Sequence, residues 1–477
     1  MGTYKTPGVY IVEKNAFPNS VVEVETAVPA FVGYTEKADD GSQSLLNKPF
    51  RISSMSEFDA YFGGANNNVK YTVTSKEEAN ASKDDLIFNN GTDKKYYAVT
   101  TDNTLFMLYY CMKMFFANGG GPCFIVSVGN YTDKVAVETI TAGIDLLKEE
   151  REATMLLVPD AMALDAKEYA NIQTAMLSHC GEMQNRVALL DFKYEKDADI
   201  VTFRDGVGSS YLSYGAAYHP WLNTSVLSER DVTDSFLSDG SLDEILSDSG
   251  ISREDLGNDK SAWHNILYQN SLLYKAVITE IRRQLNLLPS AAAMAGIYTA
   301  VDNARGVWKA PANISVNNVI SLSHTITNDD QELLNVPLNG KSINAIRFFT
   351  GDGIKVWGAR TLDGNSLDWR YINVRRTMIF LEESVRNAAR AYVFEPNVAS
   401  TWLNMKGMIE NFLRGIWKRG GLAGASPEDA YSVHVGLGDT MSAQDILDGI
   451  LRITVLVAIS HPAEFIEITF QQQMQKS

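Results

Sequence analysis

Cysteine is scarce in this sequence of 477 residues, which has only Cys111, Cys123 and Cys180. An odd and sparse set of cysteines argues against a disulfide framework and fits folding in a reducing compartment. The spacing of Cys111 and Cys123 matches no metal-binding pattern. We therefore expect three small, buried, apolar side chains.

Long hydrophobic runs are also lacking. A membrane-spanning helix needs about 18 consecutive apolar residues, and the nearest run, residues 105–117, is shorter and contains Lys113. The first residues lack the apolar core of a signal peptide. We therefore predict no direct insertion into a membrane and interpret residues 105–117 as a buried helix.

Basic residues are outnumbered by acidic ones, with 42 Lys and Arg against 58 Asp and Glu and a net charge of −16. Binding to a phosphate backbone requires clustered cations, so we predict that nucleic acid is not a partner. Self-repulsion should keep the chain soluble. Any self-assembly must overcome that repulsion through directional contacts.

The sequence lacks the short motifs of common catalytic chemistry. Gly119, Gly120 and Gly121 precede a strand, whereas nucleotide-binding glycines follow a strand and open a helix. None of the six histidines is spaced from a second histidine or a cysteine as metal ligands are. We therefore predict no catalytic residue, metal, cofactor or enzyme activity. Two alternatives stay open, a hydrolase-like α/β enzyme and another polymeric shell protein, because a fold alone does not define function.

The central third of the chain alternates between helical and strand patterns. Nearly continuous apolar strands separated by helices are typical of a parallel sheet covered on both faces. The pattern predicts a central parallel α/β domain within a chain of α/β and α+β multidomain class. The predicted helices are 104–117, 135–150 and 165–180, and the predicted strands are 123–128, 154–159 and 186–192.

Two polar segments interrupt this alternation. Residues 65–103 are rich in Asn, Lys and Asp, and residues 223–260 contain ten acidic and three basic residues. The acids of the second segment lack calcium-loop spacing. We interpret both segments as surface insertions, the first (65–103) polar and the second (222–262) acidic.

The last third predicts two amphipathic helices and several strands. Apolar residues recur every three or four positions over 374–392 and again over 398–416, which indicates two helices that pack their apolar stripes together. Alternating apolar residues then predict strands at 431–435, 451–459 and 466–470. A shorter β-rich run, 21–26, lies near the other end of the chain.

Six segments occur in one order along the chain: TPGVYIVE (6–13), VETAVPAFVGYT (24–35), KPFRISSMSEFDAYFGG (48–64), FFANGGGPCFIVSVG (115–129), YINVRRTMIFLEESVRNAARAYVFEPNVASTW (371–402) and HPAEFIEITF (461–470). Together they resemble the sheath proteins of contractile phage tails and related contractile injection systems. The resemblance implies a structural subunit that polymerises around an inner tube protein and contracts to drive the tube through a target envelope. It further implies assembly in the bacterial cytoplasm and a place in a phage tail or a released contractile particle. The implied partners are other copies of the chain, the inner tube, baseplate and terminator or cap proteins, and paralogous sheath subunits.

The resemblance also implies a domain order with a sheath core domain built from N- and C-terminal segments. The expected parts are an N-terminal arm (1–20), a discontinuous core domain (21–64 and 345–460), the polar insertion (65–103), a central domain (104–344) that includes the acidic insertion, and a C-terminal arm strand (461–477).

In this family the arms of each subunit extend into neighbouring subunits and complete small β-sheets there. Strand addition of this kind is driven by main-chain hydrogen bonds, and alternate side chains set the register. An added strand of six residues forms about five such bonds, and each bond stabilises the pairing by about 0.5–1.5 kcal/mol. The expected inter-subunit arm residues are Val9, Tyr10, Ile11, Val12, Val22, Val24, Phe465, Ile466, Ile468 and Phe470.

A cluster of cations marks the end of the second C-terminal helix. Arg414, Lys418 and Arg419 form a basic group in an acidic protein, and we predict that it faces the inner tube. A simpler explanation also stays open, because cations at the C-terminus of a helix interact favourably with the helix dipole.

Overall fold

The computed structural model describes residues 20–82, 85–90 and 93–468. The chain divides into two compact units, one formed by residues 25–376 and the other by residues 1–24 together with 377–477. The larger unit is called the body and the smaller one the terminal unit.

In chain order, the strands of the described residues are β1 (Pro29–Thr35), β2 (Pro49–Ile52), β3 (Thr72–Lys76), β4 (Leu86–Asn90), β5 (Asp93–Thr100), β6 (Cys123–Asn130), β7 (Met155–Leu157), β8 (Val187–Leu190), β9 (Gly215–His219), β10 (Leu222–Thr224), β11 (Leu287–Leu288), β12 (Ile314–Ser315), β13 (Val319–Leu322), β14 (Asn344–Phe349), β15 (Gly353–Val356), β16 (Tyr431–His434) and β17 (Thr454–Val457). The α-helices of the same residues are α1 (Met55–Phe62), α2 (Leu108–Ala117), α3 (Val137–Leu146), α4 (Ala166–Met183), α5 (Asp197–Gly206), α6 (Asp239–Ser249), α7 (Lys260–Asn270), α8 (Leu272–Leu285), α9 (Ala291–Arg305), α10 (Asn328–Asn335), α11 (Ile372–Ala389), α12 (Ala399–Lys418), α13 (Pro427–Ala430) and α14 (Ala443–Leu447).

The body is organised around a mixed sheet of nine strands in the order β12-β15-β14-β9-β8-β7-β1-β6-β2. Strands β6, β1, β7, β8, β9 and β14 are parallel to their neighbours in this series, whereas β2 and β15 are antiparallel. The parallel strands β1, β7, β8 and β9 are buried throughout, and helices α2, α3, α4 and α9 pack on the sheet. The predicted parallel α/β arrangement is therefore confirmed, since unbroken apolar strands need cover on both faces.

The predicted elements of the central third are present with shifted ends. Helix 104–117 begins at Leu108, helix 165–180 extends to Met183, and strand 154–159 is shortened to β7. A hairpin turn around Gly351 joins β14 to β15. Element ends are poorly defined by periodicity alone, so the differences are of the expected kind.

A buried carboxylate connects β1 to the start of α2. Asp160, which follows β7, accepts hydrogen bonds from the backbone N–H groups of Tyr34 (2.7 Å), Met107 (2.6 Å) and Leu108 (3.1 Å). A Cβ atom at Gly33 would come within 2.5 Å of an Asp160 carboxylate oxygen. Position 33 therefore requires glycine, because only a residue without a Cβ atom lets β1 approach the Asp160 carboxylate this closely.

The two insertions pack against each other. The sheet β3-β5-β4 belongs to the polar insertion, and the backbone N–H groups of Val73 and Ser75 on β3 donate to Ser241 Oγ (2.8 Å) and Glu244 Oε1 (2.9 Å) on α6. Ile245 of α6 is fully buried. The acidic segment is thus folded into a small core with the polar one, which its composition does not reveal.

A buried ion pair fixes the entry of the chain into the body. Arg376 contacts Asp302 through two bonds of 3.0 and 2.6 Å, and their side chains are 3% and 2% exposed. Thr26 Oγ1 donates to the same carboxylate (2.6 Å), while Arg376 also donates to the Thr26 carbonyl (3.0 Å). Thr26 is therefore held to α9 and α11 by side chains, and residues 25–28 form no strand.

The predicted domain boundaries stay a prediction. Strand pairing gives information on one predicted part, the core segment 21–64. Strands β1 and β2 both pair with β6, so residues 29–35 and 49–52 belong to the large sheet of the body.

Candidate assembly surfaces

The terminal unit contains two long helices joined by a short connection. The rings of Phe380 on α11 and Phe412 on α12 lie 6.0 Å apart, and Met405, Ile409 and Ile416 of α12 are buried. This confirms the two amphipathic helices predicted from the three- and four-residue spacing.

The same unit contains a sheet of only two strands. Strands β16 and β17 are antiparallel and pair from Tyr431 with Val457 to His434 with Thr454. In the part of the chain that the structure describes, no third strand joins this sheet, so both outer edges are open. Val433 is buried, whereas 57% of Leu456 is exposed. An open edge is a template for another strand, and two strands alone are marginally stable.

The C-terminal segment pairs with no strand among the described residues. Residues 461–468 form no regular secondary structure, and Phe465, Ile466 and Ile468 are 77%, 78% and 70% exposed. Within one copy the described residues 466–468 therefore form no strand, and the arm strand that pairs with another copy stays a prediction. A strand needs a second strand to bond, and the chain offers none to this segment among those residues.

The N-terminal run 21–26 also departs from the prediction of a β-type segment. Val22 is 77% exposed, and the N–H group of Val24 donates to Ser384 Oγ over 3.2 Å. The backbone of this run is thus engaged by a side chain and not by a strand. The expected arm residues Val9, Tyr10, Ile11, Val12 and Phe470 lie outside the described residues.

Exposed apolar side chains are concentrated in the terminal unit. This unit holds twelve of the twenty-four large apolar residues exposed in the described chain, although it contributes only about a fifth of the described residues. Phe394, between α11 and α12, is fully exposed and has a φ of 70°, a backbone region that bulky residues rarely adopt. Exposed apolar clusters commonly mark interaction sites.

The predicted basic cluster lies at the C-terminal end of α12, where all three side chains are exposed. Arg414 Nε donates to the Tyr431 hydroxyl over 3.5 Å, and Arg419 forms an ion pair with Glu23. Lys418 forms no ion pair with any residue that the structure describes. The cluster is therefore on the surface, with one of its arginines held by an acid from the N-terminal segment.

The buried thiols and two buried carboxylates of the body have structural roles. Burial raises the pKa of the Cys111 and Cys123 thiols well above its usual value. Burial also raises the pKa of the Cys180 thiol, to about 12. Burial also raises the pKa of Asp160 to about 6 and of Asp191 to about 7. Both carboxylates accept backbone N–H bonds, which accounts for their positions. Three or more potential metal ligands do not come together anywhere in residues 20–82, 85–90 and 93–468. Across those same residues, no helix has the length and apolar character needed to cross a membrane.

Two family models match consecutive parts of the chain. Residues 133–362 match the phage tail sheath protein central domain, and residues 365–473 match the phage tail sheath C-terminal domain. The chain belongs to the phage tail sheath family.

Individual relatives agree with this assignment. The tail sheath protein of Salmonella phage ViI is 22% identical over 289 residues, which are 60% of this chain and 39% of that relative. The chain thus spans well under half the length of this curated relative. A subunit of the anti-feeding prophage helical sheath in its contracted state is 28% identical, with 99% of this chain and 100% of that one covered and a TM-score of 0.65. A chain of the anti-feeding prophage baseplate is also 28% identical over the same shares, with a TM-score of 0.64.

Proposed function

We propose that this chain is a structural subunit of a contractile sheath. Copies of the chain polymerise around an inner tube, and contraction of the polymer drives the tube through a target envelope. The observation that carries the proposal is the concentration of exposed apolar side chains in the small unit that contains both chain ends. The similarity to a helical sheath subunit along nearly the whole chain supports it.

Strand exchange is the proposed mode of polymerisation. The sheet of β16 and β17 offers two open edges among the described residues, and Ile466 and Ile468, which alternate with Glu467, are exposed. The added strand comes from another copy of the chain and pairs through main-chain hydrogen bonds. The N-terminal residues 1–20 act as a second arm.

Contraction then requires no chemical reaction. Arms joined to the body by extended segments stay paired while the bodies rotate, and the polymer passes from one packing to a more stable one. Rigid-body transitions between two packings are an established class of conformational change. We accordingly propose that the chain is not an enzyme.

The basic cluster of Arg414, Lys418 and Arg419 is the proposed contact with the inner tube. Exposed cations at the end of a helix bind weakly and reversibly to acidic groups at physiological salt, which suits a tube that must be released. Further proposed partners are baseplate proteins, as the similarity to a baseplate chain suggests, a terminator or cap protein, and paralogous sheath subunits. Assembly in the bacterial cytoplasm is part of the same proposal.

Negative-stain microscopy tests the proposal. The full chain, produced together with its inner tube protein, should form long striated cylinders. Variants that lack residues 1–20 or 463–477 should remain soluble and folded but form none. Intact cylinders from either truncated chain would refute strand exchange, and folded full-length monomers that never form cylinders would refute the sheath function itself.

A further inference from the structure

The body contains a cavity of about 250 Å³ at one edge of its large sheet. His219 is the last residue of β9, and Tyr194 follows the end of β8. The carboxyl ends of parallel strands are where α/β sheets commonly bind ligands. Residues of α5 and α10 complete the lining, so that four separate parts of the chain converge there.

His219 contributes to the cavity lining and carries a buried polar atom that the described residues leave unsatisfied. Its side chain is 2% exposed and stacks on Phe192, with ring centroids 5.2 Å apart. Its Nδ1 atom has no hydrogen-bond partner among the described residues. An unsatisfied buried polar atom costs about 1–3 kcal/mol. Burial lowers the pKa of His219 to about 3, so the ring is neutral at neutral pH and either accepts or donates at this atom.

The charges that line the cavity favour a cation. The lining contains two carboxylates, Asp197 and Asp330, and one guanidinium, that of Arg204. Arg204 already donates to backbone carbonyls, including that of Lys341 over 2.9 Å. Asp330 uses only Oδ2 to accept from the N–H (2.9 Å) and hydroxyl (2.7 Å) of Thr327. No described residue donates to its Oδ1, which is therefore available to a ligand.

One wall of the cavity is aromatic. The ring of Tyr194 lies 4.7 Å from that of His219 and 4.8 Å from that of His324. Aliphatic side chains, among them Ile200 and Ile326, form the remainder of the lining. Aromatic faces attract flat rings and cations. A volume just below the usual range for drug-sized ligands suits a molecule of one or two rings.

We propose that this cavity binds a small aromatic amine, with its ring against Tyr194 and His324 and its ammonium group at Asp330. The site is separate from the proposed assembly surfaces, since all of its residues belong to the body.

Calorimetric titration of the full chain tests the site with two indoles of opposite charge. Tryptamine should bind at least about tenfold more tightly than indole-3-propionate, which has a similar ring but a carboxylate, because a charged hydrogen bond contributes about 1.5–3 kcal/mol. Absence of binding by tryptamine, or equal affinities for the two indoles, would overturn the proposal.

Three variants locate the binding. Asp330→Asn keeps an oxygen for Thr327 but loses the charge, and should weaken tryptamine binding about tenfold. Glu332→Gln removes the same charge from an exposed position on the same helix and should change the affinity less than about twofold. Val201→Arg alters a lining residue that is 55% exposed, so it should fold normally and yet block binding. Circular dichroism confirms folding, and undiminished binding by folded Asp330→Asn and Val201→Arg chains would refute the site.

Discussion

The exposed C-terminal segment allows a quantitative test of strand exchange. Ile466 and Ile468 are 78% and 70% exposed in the chain, so replacing both by serine removes almost no contact within one copy. Surface substitutions of this kind usually change the free energy of unfolding by less than about 0.5 kcal/mol. The double variant Ile466→Ser and Ile468→Ser should therefore unfold at nearly the same denaturant concentration as the parent chain.

The effect on assembly should be much larger. Complete burial of an isoleucine contributes about 1.5–3 kcal/mol, and about three quarters of each side chain is still exposed. The loss is then roughly 1–2 kcal/mol per residue and about 2–4 kcal/mol for the pair, a factor of roughly 30 to 700 in the association constant of each contact.

Sedimentation measurements over a range of concentrations give the assembly threshold, and microscopy shows whether cylinders form. Leu338→Ser is the matched control, because this leucine is fully exposed but belongs to the body. The double variant should require a far higher concentration to assemble, whereas the control should behave as the parent chain does. Assembly of the double variant at the parental concentration would refute the reasoning.

Three further predictions concern the tube contact and the interior of the body. Reversing Lys418 and Arg419 to glutamate should leave the chain folded, since exposed ion pairs contribute less than about 1 kcal/mol, but should prevent assembly around the tube; normal particles in micrographs would contradict the proposed contact. Asp302→Ala should lower the free energy of unfolding by about 3–5 kcal/mol in urea titration, because it leaves the buried Arg376 guanidinium without its counter-ion, and a loss below about 1 kcal/mol would be inconsistent with a buried pair. Burial raises the pKa of Asp191 to about 7, so between about pH 4 and 7 the folded state keeps a proton that the unfolded state releases, and stability falls as the pH rises through this window. Asp191→Asn should make the stability curve flatter over that range, and an unchanged slope would show that this carboxyl does not titrate as described.

Periodicity predicted the regular elements well. The stripes of α11 and α12 and the buried strands β6 to β8 depend on contacts that repeat at fixed spacing, and a sequence displays such spacing directly. The capping box at Ser442 and Asp445, which opens α14, is a local signal of the same kind, because both residues lie within one turn.

Features that depend on distant residues were not predictable from one sequence. The cavity brings together Tyr194, His219, His324 and Asp330, which are separated by up to 136 positions. Each of them is unremarkable by itself. The packing of the two insertions against each other was not predicted either, because their polar composition indicated solvated loops. The alternation of Tyr71 and Val73, which are both buried, is a local signal of an inward face.

The C-terminal strand shows how a correct pattern leads to an incorrect description of a single chain. The alternation of Ile466 and Ile468 with Glu467 predicts that one face of a strand becomes buried, but it does not say by which molecule. In this chain the same residues are exposed, and a net charge of −16 opposes association in general. Self-assembly must therefore depend on a few strongly apolar contacts, and the terminal unit holds half of the exposed large apolar side chains of the described residues. If the arms pair with other copies, the pattern was right and its partner lies outside the chain.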